Sequence, residues 1–472
     1  MKTKDTIIWL SILFLLIGTE AWGITTKTTA DDQTNLEVTV YNNNLGLIKD
    51  TRRVPIPQGE VELRFTDVAS QIMPVTVHVK SLDAPDSFSV LEQNYEYDLI
   101  NEKRLLDKYV GKQIKLIDEN KFQDRKETVE ATLLSNNQGQ VYRINGEIYL
   151  GYPGIKVLPE IPENLIAKPT LTWLCENRAT QSHRLEVSYL TGGITWEADY
   201  IMTLGRDDTS SDLSGWVTID NKSGATYRNT SLKLIAGEVH RAEQKTLDGA
   251  YQMERMTKSA IPQFKEEGFF EYHIYDLQRR TTIKDKQTKQ ISLLEATDVK
   301  LRKEFLVHGT IDRRPQSTTE EAKKLPVNVY IIFMNSSENG LGMPLPEGTV
   351  RMYKSDSHGG QQFIGEDRIQ HIPKDEQVRL TAGVAFDITA EKRQMDFRQI
   401  TSRLNESEWE IVLKNHRKED MPVGVLEPMS SNWEMVSSSH PFTKINASTV
   451  RFDVQVPKDN EITIRYRVQS GL

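Results

Sequence analysis

From Leu36 onward, apolar residues recur mostly at every second position, the period of a β-strand with one buried face. LEVTVY opens the pattern, VELRF sets Val61, Leu63 and Phe65 on one side, and VTVHVK does the same with Val75, Val77 and Val79. The intervening clusters YNNNLG, PIPQG and LDAPD are turn-rich, so residues 24–97 predict an N-terminal β domain. Residues 98–160 change texture. A helical stretch, DLINEKRLLDKYVG, ends in a glycine, and five short strand-like runs follow: KQIKLI, ETVEATLLS, QVYRI, EIYL and GIKVL. Asn145-Gly146 is the dipeptide of a type I′ hairpin. This spacing predicts a small β-barrel-like domain, and the proline-bearing residues 161–169 read as a linker.

Period two resumes over residues 170–472. In SYLTGGITWEADYIMTL and the residues before it, Leu185, Val187 and Tyr189 alternate up to Thr191-Gly192-Gly193. Ile194, Trp196, Ala198 and Tyr200 then alternate back, which predicts a hairpin with Thr195, Glu197 and Asp199 on its wet side. Further strands are predicted at GWVTI, SLKLIA, PVNVYIIF, GTVRMYK, GVAFDI and WEIVLKN, and a closing hairpin at TVRFDVQV and EITIRYRV. Residues 241–269 are polar, helix-tolerant and without period two, so they read as an irregular excursion. The chain as a whole is predicted to be mainly β, multidomain and β-sandwich-rich.

The first 23 residues add a compartment. Lys2 and Lys4 precede an apolar run from Ile7 to Ile17, with Ala21 and Gly23 spaced like a signal peptidase site, as in a secretory signal peptide. The run is shorter than the roughly 18 to 20 apolar residues of a membrane span, so the mature chain is expected to be exported, periplasmic or extracellular, without a transmembrane segment. Cys175 is the one cysteine, so no internal disulfide can form. The formal net charge of -8 excludes the usual nucleic-acid binder, which is basic.

Four stretches together carry a resemblance: SYLTGGITWEADYIMTL, SGWVTIDNKSGATYRNTSLKLIAGEVHR, FFEYHIYDLQRRTTIKDKQTKQISLLEA and SSHPFTKINASTVRFDVQVPKDNEITIRYRV. In order and spacing, residues 170–472 resemble a family of bacterial envelope proteins whose C-terminal half is a domain of unknown function, some members being labelled mucoidy inhibitor. The resemblance implies a β-sandwich-rich exported protein and brings no catalytic residues to carry over.

Candidate chemistry is sparse. Glu197 and Asp199, two apart on a strand, would place their carboxyls about 6 to 7 Å apart, a spacing that glycoside hydrolases use; a solvated outer face is the competing reading. No two of the nine histidines form an HExxH pattern, and His240, beside Glu238 and Arg241, is the best single metal candidate. Ser439-His440 lies near Glu434 without a nucleophile elbow and reads as a loop. Cys175 in LTWLCE reads as buried, and GLGMPLPEG as a turn before GTVRMYK. Arg279, Arg280, Lys284, Lys286 and Lys289 face a single acid, Asp285, and form a candidate polyanion-binding run; a solvated hairpin is the alternative. Phe269, Phe270, Tyr272, Tyr275, Trp196 and Trp216 would stack on carbohydrate if exposed. Alternation in FEYHIYDL sets Phe270, Tyr272, Ile274 and Asp276 opposite Glu271, His273 and Tyr275, so core packing is expected for most. The expected function is an exported binding or scaffolding module for an envelope polymer or protein, with no cofactor, metal site or catalytic residue assigned. A hydrolase of envelope polysaccharide or peptide, or a structural spacer, are the alternatives.

Overall fold

A computed structural model describes residues 24–471, apart from 97–99, 121–124, 163–164, 167, 181, 238–263, 270–271, 311–321 and 431. The signal-like segment 1–23, the group Glu238, His240 and Arg241, and residues 241–263 of the expected excursion lie outside the described residues. Strand makes up 67% and helix 5% of the described residues, so the fold is mainly β. No described helix is long and apolar enough to cross a membrane.

The chain forms two compact units, Met1–Leu36 with Ile48–Leu190, and Glu37–Leu47 with Thr191–Leu472. In the first, Ile24–Thr28 runs parallel to Gly59–Thr66, which pairs with Thr170–Asn177, which in turn pairs with Phe88–Glu96. Thr170–Asn177 follows the expected linker yet belongs here, because it fills the gap between those two strands. Val61, Leu63, Phe65, Leu171, Trp173 and Cys175 bury completely along the faces that period two assigns them.

The middle segment is a five-stranded sheet in the order Glu147–Leu150, Val141–Ile144, Arg125–Ser135, Gln113–Asn120, Ile155–Val157. It is open, which corrects the barrel expectation. Its edge strands have four and three residues and do not pair with each other. The helix Glu102–Lys108 covers the apolar face instead, packing Leu106 and the following Tyr109 on Ile114, Leu116, Leu133, Tyr142 and Ile144. A sheet covered by a helix need not close to bury its apolar face. Asn145 and Gly146 both adopt positive φ, 49° and 90°, as the predicted type I′ turn requires.

The second unit holds a long sheet whose spine is the 22-residue strand Gln287–His308. Its main path runs Gln361–Ile369, Gly348–Ser355, Ile194–Leu204, Ser210–Asn221, Gln287–His308, Met421–Pro428, Thr449–Val456, Phe442–Asn446. A second sheet, Lys323–Leu325, Ile388–Thr401, Leu404–Asn415, Asn460–Gly471, Trp433–Ser438, packs against the far half of it. Val425, Val450 and Phe452 from one sheet meet Ile411, Leu413, Ile464 and Tyr466 from the other, a β-sandwich core.

Several local expectations change. The last two strands are not a hairpin: Thr449–Val456 pairs with Met421–Pro428, and Asn460–Gly471 pairs with Leu404–Asn415. Their apolar residues face each other across the sandwich, with the Phe452 and Tyr466 rings 5.8 Å apart, because stacking two greasy faces buries more than lateral pairing does. Likewise, His183–Thr191 pairs with His78–Ser81, while Ile194–Leu204 pairs with Ser210–Asn221 and Gly348–Ser355, so Thr191–Gly193 links two sheets rather than closing a hairpin. The end of the expected excursion is strand: Phe264–Phe269 pairs with Tyr272–Leu277 at a sheet edge, where Lys265, Glu266 and Glu267 are tolerated. Tyr275, which alternation sets on the same side as Glu271 and His273, is only 1% exposed, in line with the expected core packing, and its ring packs on Trp196 with centroids 6.1 Å apart.

One device recurs at strand ends. Asn177, Asn221, Asn335 and Asn415 are at most 1% exposed, and each side-chain amide donates to carbonyls of loops that the sheets cannot satisfy. In Asn415 the acceptors are Glu419, Val456 and Pro457, at 2.8, 3.1 and 3.2 Å, while Oδ1 accepts the Arg417 N–H at 2.9 Å.

Candidate functional site

The wet face of Ile194–Leu204 is where polar and aromatic side chains gather. Trp196, Ala198, Tyr200 and Met202 bury on one side, which turns Thr195, Glu197, Asp199, Ile201 and Thr203 outward. Register then fixes their neighbours. Glu197 stands opposite Thr218 and Asp199 opposite Trp216; on the parallel side Asp199 meets Thr349, Ile201 meets Arg351 and Thr203 meets Tyr353. One strand further, Glu366 lies opposite Arg351 and Phe363 opposite Tyr353.

Charges on this face are chained. Arg351 Nη1 donates to Asp199 Oδ1 at 2.8 Å and its Nε stands 3.4 Å from Glu366 Oε2. Thr218 Oγ1 donates to Asp199 Oδ2 at 2.6 Å, and Gln290 Nε2 donates to Thr218 Oγ1 at 3.2 Å. Hydrogen bonding to Asp199 pushes the Arg351 guanidinium above its usual range, so it stays charged. Glu197 is exposed and enters no such chain; it lines an open groove of about 240 Å³ together with Asn42, Thr195, Asp220, Glu347 and Arg368. The two carboxylates therefore have different fates, one bound to a guanidinium and one free to solvent.

Aromatic side chains flank the charges. Trp216 points outward, half-buried, at a bulge where Gly215 pairs with Leu294 but Trp216 pairs with Ser292. Such a bulge increases local twist and re-aims a side chain. Phe363 is 56% exposed and meets Tyr353 edge to face at 5.6 Å, and Ile201 is 40% exposed between them and Trp216 in register. Positions 199 and 203 set the Trp216 and Tyr353 stations about 13 Å apart along the strand.

The other candidates resolve as follows. The basic run is not a hairpin: Thr281–Ile283 pairs with Tyr227–Ala236 and the start of Gln287–His308 pairs with Ser210–Asn221, so Lys284–Lys286 turns between strands that do not pair with each other. Arg279, Arg280, Lys284 and Lys286 are exposed, but Lys289 stands opposite Ile219 on the inward-facing row, so the structure does not gather all five cations. Arg280 Nη1 donates to the Asn229 carbonyl at 2.7 Å, and the Asp285 carboxylate accepts the Gly224 N–H, which anchors the turn. Ser439 Oγ lies 2.9 Å from His440 Nδ1 and also accepts the Arg465 N–H, an exposed loop contact. Cys175 is buried, and desolvation pushes its thiol up to about 12. Among the described residues, no group of three or more His, Cys, Asp or Glu is placed to hold a metal ion.

One constellation had no sequence signal. Ser81 Oγ lies 2.8 Å from His183 Nδ1, and His183 Nε2 lies 3.0 Å from Asn177 Oδ1. Asn177 Nδ2 donates to the Ile56, Pro57 and Ala179 carbonyls, so its oxygen must accept and His183 carries its proton on Nε2. Ser81 then donates to Nδ1, the polarity of a nucleophile and its base. All three residues are at most 4% exposed, however, and the chain of bonds ties strands rather than reaching a substrate.

No family model matches this chain, and no curated protein matches it.

Proposed function

We propose that the protein is an exported cell-envelope module that binds a hydroxyl-rich polymer along the outer face of the Ile194–Leu204 sheet. The observation that carries this reading is the placement of Trp216, Tyr353 and Phe363 on a wet sheet face beside the Asp199–Arg351–Glu366 chain. Aromatic rings offer flat apolar area to sugar rings, while carboxylates and guanidinium groups hydrogen-bond hydroxyls. Two aromatic stations about 13 Å apart suit a repeating chain better than a single small molecule. The groove at Glu197, Asn42 and Arg368 continues the polar surface. The signal-like N-terminus and the resemblance to bacterial envelope proteins support the setting.

Electrophoresis of the purified protein through gels cast with envelope polysaccharide tests the reading. Retardation is expected for the native protein and loss of retardation for Trp216→Ala with Phe363→Ala. Equal mobility with and without polysaccharide would remove the proposal.

A further inference from the structure

We infer that Lys392 and Glu427 are the site of a covalent cross-link, an amide between Lys392 Nζ and Glu427 Cδ that ties the two sheets of the C-terminal sandwich. Lys392 lies on Ile388–Thr401 and Glu427 on Met421–Pro428, strands of opposite sheets. Both are buried, at 5% and 0% exposure. Nζ stands 2.5 Å from Glu427 Oε2, and Tyr466 donates its hydroxyl to the same oxygen at 2.6 Å. Nζ also donates to the Thr310 carbonyl at 3.2 Å and lies 4.4 Å from the Trp409 ring centroid.

As an ion pair this is poorly made. Glu427 Oε1 and Thr310 Oγ1 are buried without a hydrogen-bond partner among the described residues. Two buried charges repay their desolvation only when the remaining lone pairs are satisfied, which is not so here. Gly309 leaves no room for a side chain beside the carboxylate: a Cβ there would lie 1.9 Å from Oε1.

The same geometry suits condensation. A proton passed from Nζ to the carboxylate leaves an amine facing a carboxylic acid. Nζ then attacks Cδ, the N–C bond forms and the Cδ–Oε2 bond breaks. The oxygen departs as water, taking one proton from the acid and one from the amine, so atoms and electrons balance without an oxidant, reductant or further reactant. Tyr466 polarises the departing oxygen; burial and the Glu427 charge push its phenol well above the usual range, so it remains a donor. Reaction removes both buried charges. The lone Cys175 leaves no disulfide for this role in the chain.

Peptide mapping of the purified full-length protein by mass spectrometry decides the matter without any variant. After denaturation and trypsin digestion, the peptides bearing Lys392 and Glu427 are expected joined, one water lighter than their sum, with cleavage after Lys392 blocked. Lys392→Met is expected to release the Glu427 peptide at its free mass. Recovery of both native peptides at their free masses, or a water loss mapped to any other pair, overturns the inference.

Discussion

Arg351 Nη1 lies 2.8 Å from Asp199 Oδ1, joining two strands that run parallel, and Thr218 holds the other carboxylate oxygen of Asp199 at 2.6 Å. Asp199 is a structural acid and its neighbour two residues earlier is not. The Arg351 side chain is 39% exposed, so solvent screening keeps the pair modest. Asp199→Ala is expected to cost about 1 kcal/mol in urea unfolding, and Glu197→Gln less than about 0.5 kcal/mol. Equal costs for the two would show that the carboxylates share one role.

Trp196 and Trp216 sit on opposite faces of paired strands and should behave oppositely. Trp196 is 1% exposed, donates Nε1–H to the Ile235 carbonyl at 3.1 Å and packs on Tyr275. Trp196→Ala is expected to cost about 3–5 kcal/mol, while Trp216→Ala, half-buried and outward, should cost about 1 kcal/mol. Chemical denaturation of the two variants checks the difference.

The strand-end asparagines predict a larger effect than their polarity suggests. Asn415→Ala leaves the Glu419, Val456 and Pro457 carbonyls without their donor inside a closed loop. A loss of about 1–3 kcal/mol is expected, and Asn415→Asp should not restore it, because a carboxylate cannot donate.

His183 gives a pH dependence with a fixed sign. Burial lowers its pKa below the usual 6.5, and its neutral form accepts from Ser81 through Nδ1. The unfolded chain therefore takes up this proton before the folded one does. The contribution is fully present above about pH 6.5 and is lost as pH falls through the unfolded value toward the lower folded value. Urea midpoints at successive pH values should decline below pH 6.5, and His183→Gln should flatten that decline.

Period two made the face of many strands legible: Val61, Leu63 and Phe65 bury together, as do Trp196, Ala198 and Tyr200, but in VTVHVK Pro74–Thr76 forms a 3-10 turn that leaves Val75 97% exposed, and the strand begins only at His78. Pairing was less legible, because which strand lies beside which is a non-local choice that alternation does not encode. Alternation thus predicts one hairpin for Phe452 and Tyr466, whereas they meet across a sandwich. The run GVAFDI read as a strand, yet Gln377–Val384 ends within it, Ile388–Thr401 begins at its last residue, and Phe386 is 93% exposed. The outer-face site was only half visible. The outward setting of Glu197 and Asp199 followed from their own strand, but Arg351, Tyr353 and Phe363 join them through a parallel neighbour some 150 residues away in sequence. The Lys392–Glu427 contact has the same origin: two strands in opposite sheets bring together residues no local pattern links.

The most direct test of the proposed function is titration of the purified protein with a soluble envelope polysaccharide, followed by isothermal calorimetry. Trp216→Ala combined with Phe363→Ala is expected to weaken binding at least about tenfold, a change of about 1.4 kcal/mol, while the double variant still unfolds in a cooperative transition well above the assay temperature. Unchanged affinity in a folded double variant would contradict the account, for the ligand would then be held somewhere other than this face.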